Sequence, residues 1–185
     1  REINMKNNLI SLTLLVLFLV GLPSTRGESS EKEANSLGTR IPILLYHRFG
    51  PSAVDSMTVT TPLFESQLKY LIENGYTVIP LRQVIDYRLG KRQTFPSRSL
   101  AITTDDGHES VYTDMFPLLR KYRIPITLFL YPSAISNASY AMTWDQLREV
   151  KTSGLVDFQS HTFWHPNFKK DRARLKSVEY ENLVD

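Results

Sequence analysis

The fold of this chain is decided by the stretch Ser99-Leu100-Ala101-Ile102-Thr103-Thr104-Asp105-Asp106-Gly107. Residues 99–102 form a short apolar run, which predicts a buried strand, and the Asp and Gly residues behind it are typical of a turn. A second stretch has the same plan. Residues 156–159 predict another strand, and Ser160-His161-Thr162-Phe163-Trp164-His165-Pro166 follows it directly. A carboxylate pair and a histidine pair therefore each stand at the end of a predicted strand.

Strand and helix patterns alternate along the rest of the chain from residue 41 onward. Runs that predict strands begin near residues 41, 76, 99, 126 and 155. Helices are predicted between most of them, and the first starts at Thr61-Pro62 and ends at Gly75. Its apolar face is formed by four residues, Phe64, Leu68, Leu71 and Ile72. Further helices are predicted over residues 112–122 and from about residue 171 onward.

This alternation of strands and helices predicts an α/β fold with a parallel sheet. In such folds the functional groups gather at the carboxyl ends of the strands, in open sheets and in barrels alike. Both motifs stand at such ends, so we expect the aspartates and the histidines to meet above one edge of the sheet.

Two imidazoles and one carboxylate are a ligand set typical of a catalytic divalent metal, with positions left for water and substrate. The second carboxylate is then free to act as a base. Pro166 disfavours the helical conformation at His165, so we expect the imidazoles to project from a loop. A different interpretation stays open from the residues alone: the aspartates would only form a turn, and the histidines only a surface loop.

The two motifs resemble the first two motifs of the polysaccharide deacetylase family, the NodB homology domain. Leu45-Tyr46-His47-Arg48-Phe49 resembles its exopolysaccharide-deacetylase branch. The resemblance spans residues 41–185 and implies a distorted, incomplete (β/α) barrel. It also implies that Asp106, His161 and His165 bind one divalent metal ion, zinc before cobalt or nickel, and that Asp105 is the catalytic base.

Other residues near the motifs have two interpretations each. His47 lies just beyond a predicted strand, where it either binds substrate or has a structural role. His108 follows Gly107, and we expect it near the metal without being a ligand. Four aromatic residues are candidates for stacking on sugar rings, and we expect at least two of them in the core instead. These residues are Tyr131, Trp144, Phe163 and Trp164.

The function implied by the resemblance is a metal-dependent hydrolase that removes acetyl groups from a polymer of the N-acetylglucosamine type. An acetylated polysaccharide is therefore the expected partner. Two alternatives stay open, because the two motifs do not separate amide from ester chemistry. One is an O-acetyl esterase acting on acetylated polysaccharide, and the other is a non-catalytic carbohydrate-binding module.

The first 27 residues predict an export signal, because the basic Lys6 precedes a largely apolar run over residues 9–20. We therefore expect an exported protein that is extracellular, periplasmic or on the cell surface, with membrane contact only if the signal stays uncleaved. Residues 28–40 are rich in Ser, Glu and Lys and predict a linker to a domain over residues 41–185. The later motifs of the family have no match, which predicts that the C-terminal part of the domain is missing.

The composition argues against nucleic-acid binding. Without residues 1–27, which hold Arg1, Lys6 and Arg26 against Glu2, the chain carries 19 basic and 18 acidic side chains. Such a balance offers no strong positive field for phosphates. The chain has no cysteine, which excludes a disulfide framework.

Overall fold

The fold of residues 40–177 and of Glu179 is described by a computed structural model. The strands are β1 (Ile43–Tyr46), β2 (Arg48–Gly50), β3 (Thr58–Thr60), β4 (Thr77–Val78), β5 (Ser99–Thr104), β6 (Ile126–Leu130) and β7 (Val156–Ser160). The α-helices are α1 (Thr61–Glu73), α2 (Leu81–Arg88), α3 (Phe116–Tyr122), α4 (Trp144–Thr152) and α5 (Phe168–Arg174). The predicted export signal and all but the last residue of the predicted linker lie outside the described residues.

The main sheet is parallel throughout, which confirms the predicted α/β class. Its strand order is β1-β5-β6-β7, and β4 pairs with the first two residues of β5. The register places Thr104 beside both Tyr46 and Leu128, and Leu130 beside Ser160. The carboxyl ends of four strands are therefore neighbours at one edge. All six residues of β5 are buried, as expected for a strand with partners on both sides.

A smaller parallel pair, β2 with β3, was not predicted from the sequence. Each of its strands has only three residues, which is too short for a recognisable alternation of apolar and polar side chains. The pair leads directly into α1, whose first turn is capped by Thr60: its side chain accepts a hydrogen bond from the amide of Leu63.

Helix α1 buries Phe64, Leu68 and Leu71 in the hydrophobic core, which confirms three of the four predicted positions. Ile72 is 46% exposed, so its assignment to the same face was wrong. Each residue of an α-helix is turned by about 100° from the last, which places Ile72 beyond the border of a stripe centred on the other three.

Replacing Phe64 with Ala is expected to lower the free energy of unfolding by about 3–5 kcal/mol. The ring is fully buried, and its centroid lies 5.1 Å from that of Tyr46 and 4.9 Å from that of Phe49. Urea unfolding measures the change. Leu63→Ala on the exposed side of the same helix is the control, with an expected change within about 0.5 kcal/mol. A loss for Phe64→Ala no larger than that of the control would contradict this packing.

The helix predicted over residues 112–122 is divided into two parts. A π-helical turn occupies Val111–Met115, and α3 follows it. Pro117 explains the division, because it has no N–H to donate to the carbonyl of residue 113 and its ring would crowd that carbonyl in an α-helix. The amide of Phe116 bonds the Val111 carbonyl instead, five residues back.

The last helix begins three residues earlier than predicted. Asn167 caps α5 by accepting a hydrogen bond from the amide of Lys170, so Asp171 lies in the first turn and does not start the helix. Helix α4 begins with a complete capping box formed by Thr143 and Gln146. Among the described residues, no helix is both long and apolar enough to cross a membrane.

Candidate metal centre

Polar residues directly follow four neighbouring strands at the same edge of the sheet. His47 follows β1, Asp105 follows β5, Tyr131 follows β6 and His161 follows β7. The parallel register brings these strand ends together, so residues far apart in the sequence share one site. The two predicted motifs meet here, as the positions of their strands implied.

A sharp turn after β5 sets the direction of the two aspartates. Asp106 has a φ of +72° and Gly107 a φ of +69°. Asp tolerates this left-handed region better than most residues, and Gly adopts it without steric cost. A Cβ atom on Gly107 would come within 3.2 Å of Ile135 Cδ1, so the turn also packs closely on the core. The Gly107 carbonyl accepts a hydrogen bond from the amide of Met142.

Asp106, His161 and His165 form a cluster whose three possible ligand atoms all lie within 4.8 Å of one another. Asp106 Oδ1 is 3.7 Å from His161 Nε2 and 3.5 Å from His165 Nε2. This oxygen is buried and has no hydrogen-bond partner among the described residues. A buried carboxylate oxygen without a partner is costly unless a cation compensates its charge. The donor set therefore fits one divalent cation.

The loop behind β7 presents both histidines, and no helix covers residues 161–167, as Pro166 predicted. The amide of His161 bonds the Leu130 carbonyl, and the amide of His165 bonds Thr162 Oγ1 at 3.0 Å. Thr162 and His165 both have positive φ values, of 65° and 50°. These bends fold the loop back on itself, which brings the two imidazole centroids within 4.7 Å.

Asp105 lies next to the cluster and takes no part in it. Its Oδ2 is 3.9 Å from the Nε2 atoms of both His47 and His161. Burial raises the pKa of the Asp105 carboxyl above its ordinary value, and the nearby imidazoles of His161 and His47 oppose that rise. Its amide is tied to the Tyr46 carbonyl at 3.0 Å. Asp105 is thus a fixed carboxylate beside a candidate metal position, which is the placement that a general base requires.

A cavity of 380 Å³ opens beside the cluster. It is lined by Arg48, Asp106, His108, Tyr131, Tyr140 and His165. Tyr131 stacks on the ring of His165, with centroids 5.0 Å apart, and its hydroxyl bonds that of Tyr140. The sequence analysis named Tyr131 only as a possible sugar platform and did not consider Tyr140. Its position directly behind a predicted strand was the signal that could have placed Tyr131 in the site.

The expectation that at least two of the four aromatic candidates lie in the core was wrong. Trp144 is 44% exposed, Phe163 53% and Trp164 70%, while Tyr131 is half-buried. Phe163 and Trp164 stand on the short histidine loop and pack on each other, with centroids 4.6 Å apart. A loop at a strand end cannot insert adjacent side chains into a core that the strands already fill.

Comparison with known proteins shows that this chain is similar to polysaccharide deacetylases. Residues 92–182 match the family model described as polysaccharide deacetylase. A poly-beta-1,6-N-acetyl-D-glucosamine N-deacetylase of Staphylococcus epidermidis is 33% identical over 117 residues, covering 61% of this chain and 40% of that protein. A protein of the same name from Staphylococcus aureus is 28% identical over 145 residues, covering 76% of this chain and 49% of that protein. The chain spans less than half the length of these two relatives.

A solved structure supports the same relationship. IcaB from Ammonifex degensii superposes with a TM-score of 0.62 at 31% sequence identity. The superposition covers 69% of this chain and 55% of that chain. It confirms the predicted (β/α)-barrel fold class, of which the described residues form a part.

Proposed function

Because the chain belongs to the polysaccharide deacetylase family, we propose that it hydrolyses the acetamide groups of a polymer of N-acetylglucosamine. The observation that carries this proposal is the Asp106, His161 and His165 cluster with a separate carboxylate, Asp105, beside it. The names of the relatives favour N-deacetylation over the removal of O-acetyl groups. A polymer substrate outside the cell agrees with the export signal that the first 27 residues predict.

The proposed metal ligands are Asp106, His161 and His165, which together would hold one divalent cation. Zinc is the first candidate, because it accepts imidazole and carboxylate ligands in a three-ligand catalytic site, and cobalt and nickel follow. When bound, such a cation lowers the pKa of water from 15.7 to about 7 and polarises a carbonyl oxygen. The unpartnered oxygen of Asp106 supports this assignment.

Asp105 is the proposed base that accepts the proton of the attacking water. It is free for this role because the neighbouring Asp106 is the proposed metal ligand, and burial raises the pKa of its carboxyl. His47 is the proposed substrate contact. Its ring stands beside the base, where Nε2 lies 3.9 Å from Asp105 Oδ2.

The proposed function is tested on the full-length protein by acetate and free-amine release from β-1,6-linked N-acetylglucosamine oligomers. The protein is stripped with a chelator and reloaded with zinc, cobalt or nickel before each assay. We expect equal amounts of acetate and amine from the reloaded protein and none from the stripped protein. Acetate released from acetylated xylan, without amine release from the oligomers, would identify an esterase. Oligomer binding without any release would identify a carbohydrate-binding module.

A further inference from the structure

We propose that His108 binds an oxygen atom of the sugar that carries the reacting acetamide, by donating a hydrogen bond from its Nε2–H. This inference deepens the proposed function and rests on it. His108 is neither a proposed metal ligand nor the proposed base, and the sequence predicts only that it lies near the metal.

The hydrogen bonds around His108 fix which ring nitrogen carries the proton. The backbone amide of Ser110 donates to His108 Nδ1 at 3.1 Å, so Nδ1 acts as an acceptor. The Ser110 hydroxyl oxygen lies 2.8 Å from the same atom and itself accepts a hydrogen bond from the amide of Phe49. Its hydrogen is therefore available to Nδ1 as well. A neutral imidazole whose Nδ1 accepts carries its hydrogen on Nε2.

The ring of His108 is also held in place before any ligand arrives. It stacks on Tyr140, with centroids 6.2 Å apart and ring planes 18° from parallel. The backbone joins the two segments as well, because His108 pairs with Ala141 and the amide of Glu109 bonds the Tyr140 carbonyl at 2.7 Å. A donor fixed in this way loses little conformational entropy on binding, which makes its hydrogen bond more effective.

The cavity that His108 lines offers more donors than acceptors. Arg48 supplies a guanidinium held by Asp55 at 3.2 Å. Tyr131 and Tyr140 share one hydrogen bond between their hydroxyls, which leaves one O–H of the pair for a ligand. Among the lining residues, Asp106 is the one carboxylate, and it is assigned to the metal.

A donor-rich cavity fits a ligand with many acceptor oxygens. A sugar residue has hydroxyl, ring and glycosidic oxygens, and N-acetylglucosamine adds an acetamide carbonyl. Asp106 and His165 line the same cavity, so a sugar bound there lies next to the proposed metal. Within the described residues, Nε2 of His108 has no protein partner, whereas Nδ1 is fully used. The atom left for the sugar is therefore Nε2.

Two substitutions of similar length test this inference. Gln places an amide N–H near the position of Nε2, whereas Met fills the same space without a donor. The titration uses the zinc-loaded Asp105→Asn protein, because it should keep its metal and hydrolyse the tetramer slowly. In that protein we expect His108→Met to weaken the binding of a β-1,6-linked N-acetylglucosamine tetramer by about tenfold, close to the upper range for one neutral hydrogen bond. His108→Gln should stay within about threefold of the same protein with His108. Isothermal titration calorimetry measures both, and Gln93→Met on the exposed surface is the control.

Three results would overturn the inference. One is tetramer binding by His108→Met that equals the wild type, and another is an equal loss in the Met and Gln variants, which would indicate a structural effect. The third is a ¹⁵N-histidine spectrum, assigned with His108→Gln, that shows the proton on Nδ1. If the wild type itself binds no tetramer, the proposed function fails together with this subsite. Tetramer binding that is unaffected by His108→Met would contradict the subsite but not the proposed function.

Discussion

In the full-length protein, replacing Asp105 with Asn is expected to lower kcat by about 10²–10⁴-fold, the usual contribution of a general base. Asn has the same shape but cannot accept a proton at working pH. Asp105 lies outside the cluster of Asp106, His161 and His165, so the variant should keep the metal content of the wild type. Deacetylation rates with N-acetylglucosamine oligomers, together with elemental analysis of the same samples, measure both quantities.

Asp145→Asn is the matched control for this variant. Asp145 lies in the first turn of α4, where it is exposed and pairs with Arg148. The same chemical change there should leave the rate unaltered. A rate for Asp105→Asn above about half that of the wild type would show that this carboxylate is not the base, because losing a base costs far more. Loss of metal in the same variant would instead assign Asp105 to the cluster.

The five strands of the main sheet could be predicted from the sequence because their signals are local. Strand β5 contains the short apolar run of residues 100–102 and is followed by Asp-Asp-Gly, a pattern typical of a buried strand that ends in a turn. Helix α1 was equally clear, since Pro62 marks its first turn and its apolar residues recur at helical spacing. The parallel arrangement then followed from the order of the elements, and with it the meeting of the two motifs.

The finer structure of the site depends on contacts between distant residues, which no local pattern encodes. Tyr131 stacks on His165 across 34 positions because β6 and β7 are neighbours in the sheet. Likewise, the proton position on His108 follows from Ser110, whose hydroxyl is held by Phe49, 61 positions away. The sequence indicates that these residues are close to strand ends, but only the packed sheet decides which of them touch.

Replacing His161 and His165 together with Ala is expected to reduce bound metal from about one ion per chain to almost none, because a three-ligand site has no spare ligand. Each imidazole offers one of the three possible ligand atoms, and Asp106 alone would leave a weakly held ion. Elemental analysis after dialysis measures the stoichiometry. Deacetylation should fall with it, and circular dichroism checks that both proteins have the same secondary structure.

His47→Ala is the control for this double variant, since it removes an imidazole from the same edge of the sheet. His47 Nε2 lies 3.9 Å from Asp105, and His47 is not part of the cluster. We therefore expect this control to retain its metal. Unchanged stoichiometry in the folded double variant would show that the ion binds elsewhere. The buried oxygen of Asp106 would then need another partner, because an unpaired carboxylate in that position is unfavourable without one. The single variants His161→Ala and His165→Ala should each weaken binding sharply, since neither imidazole can replace the other.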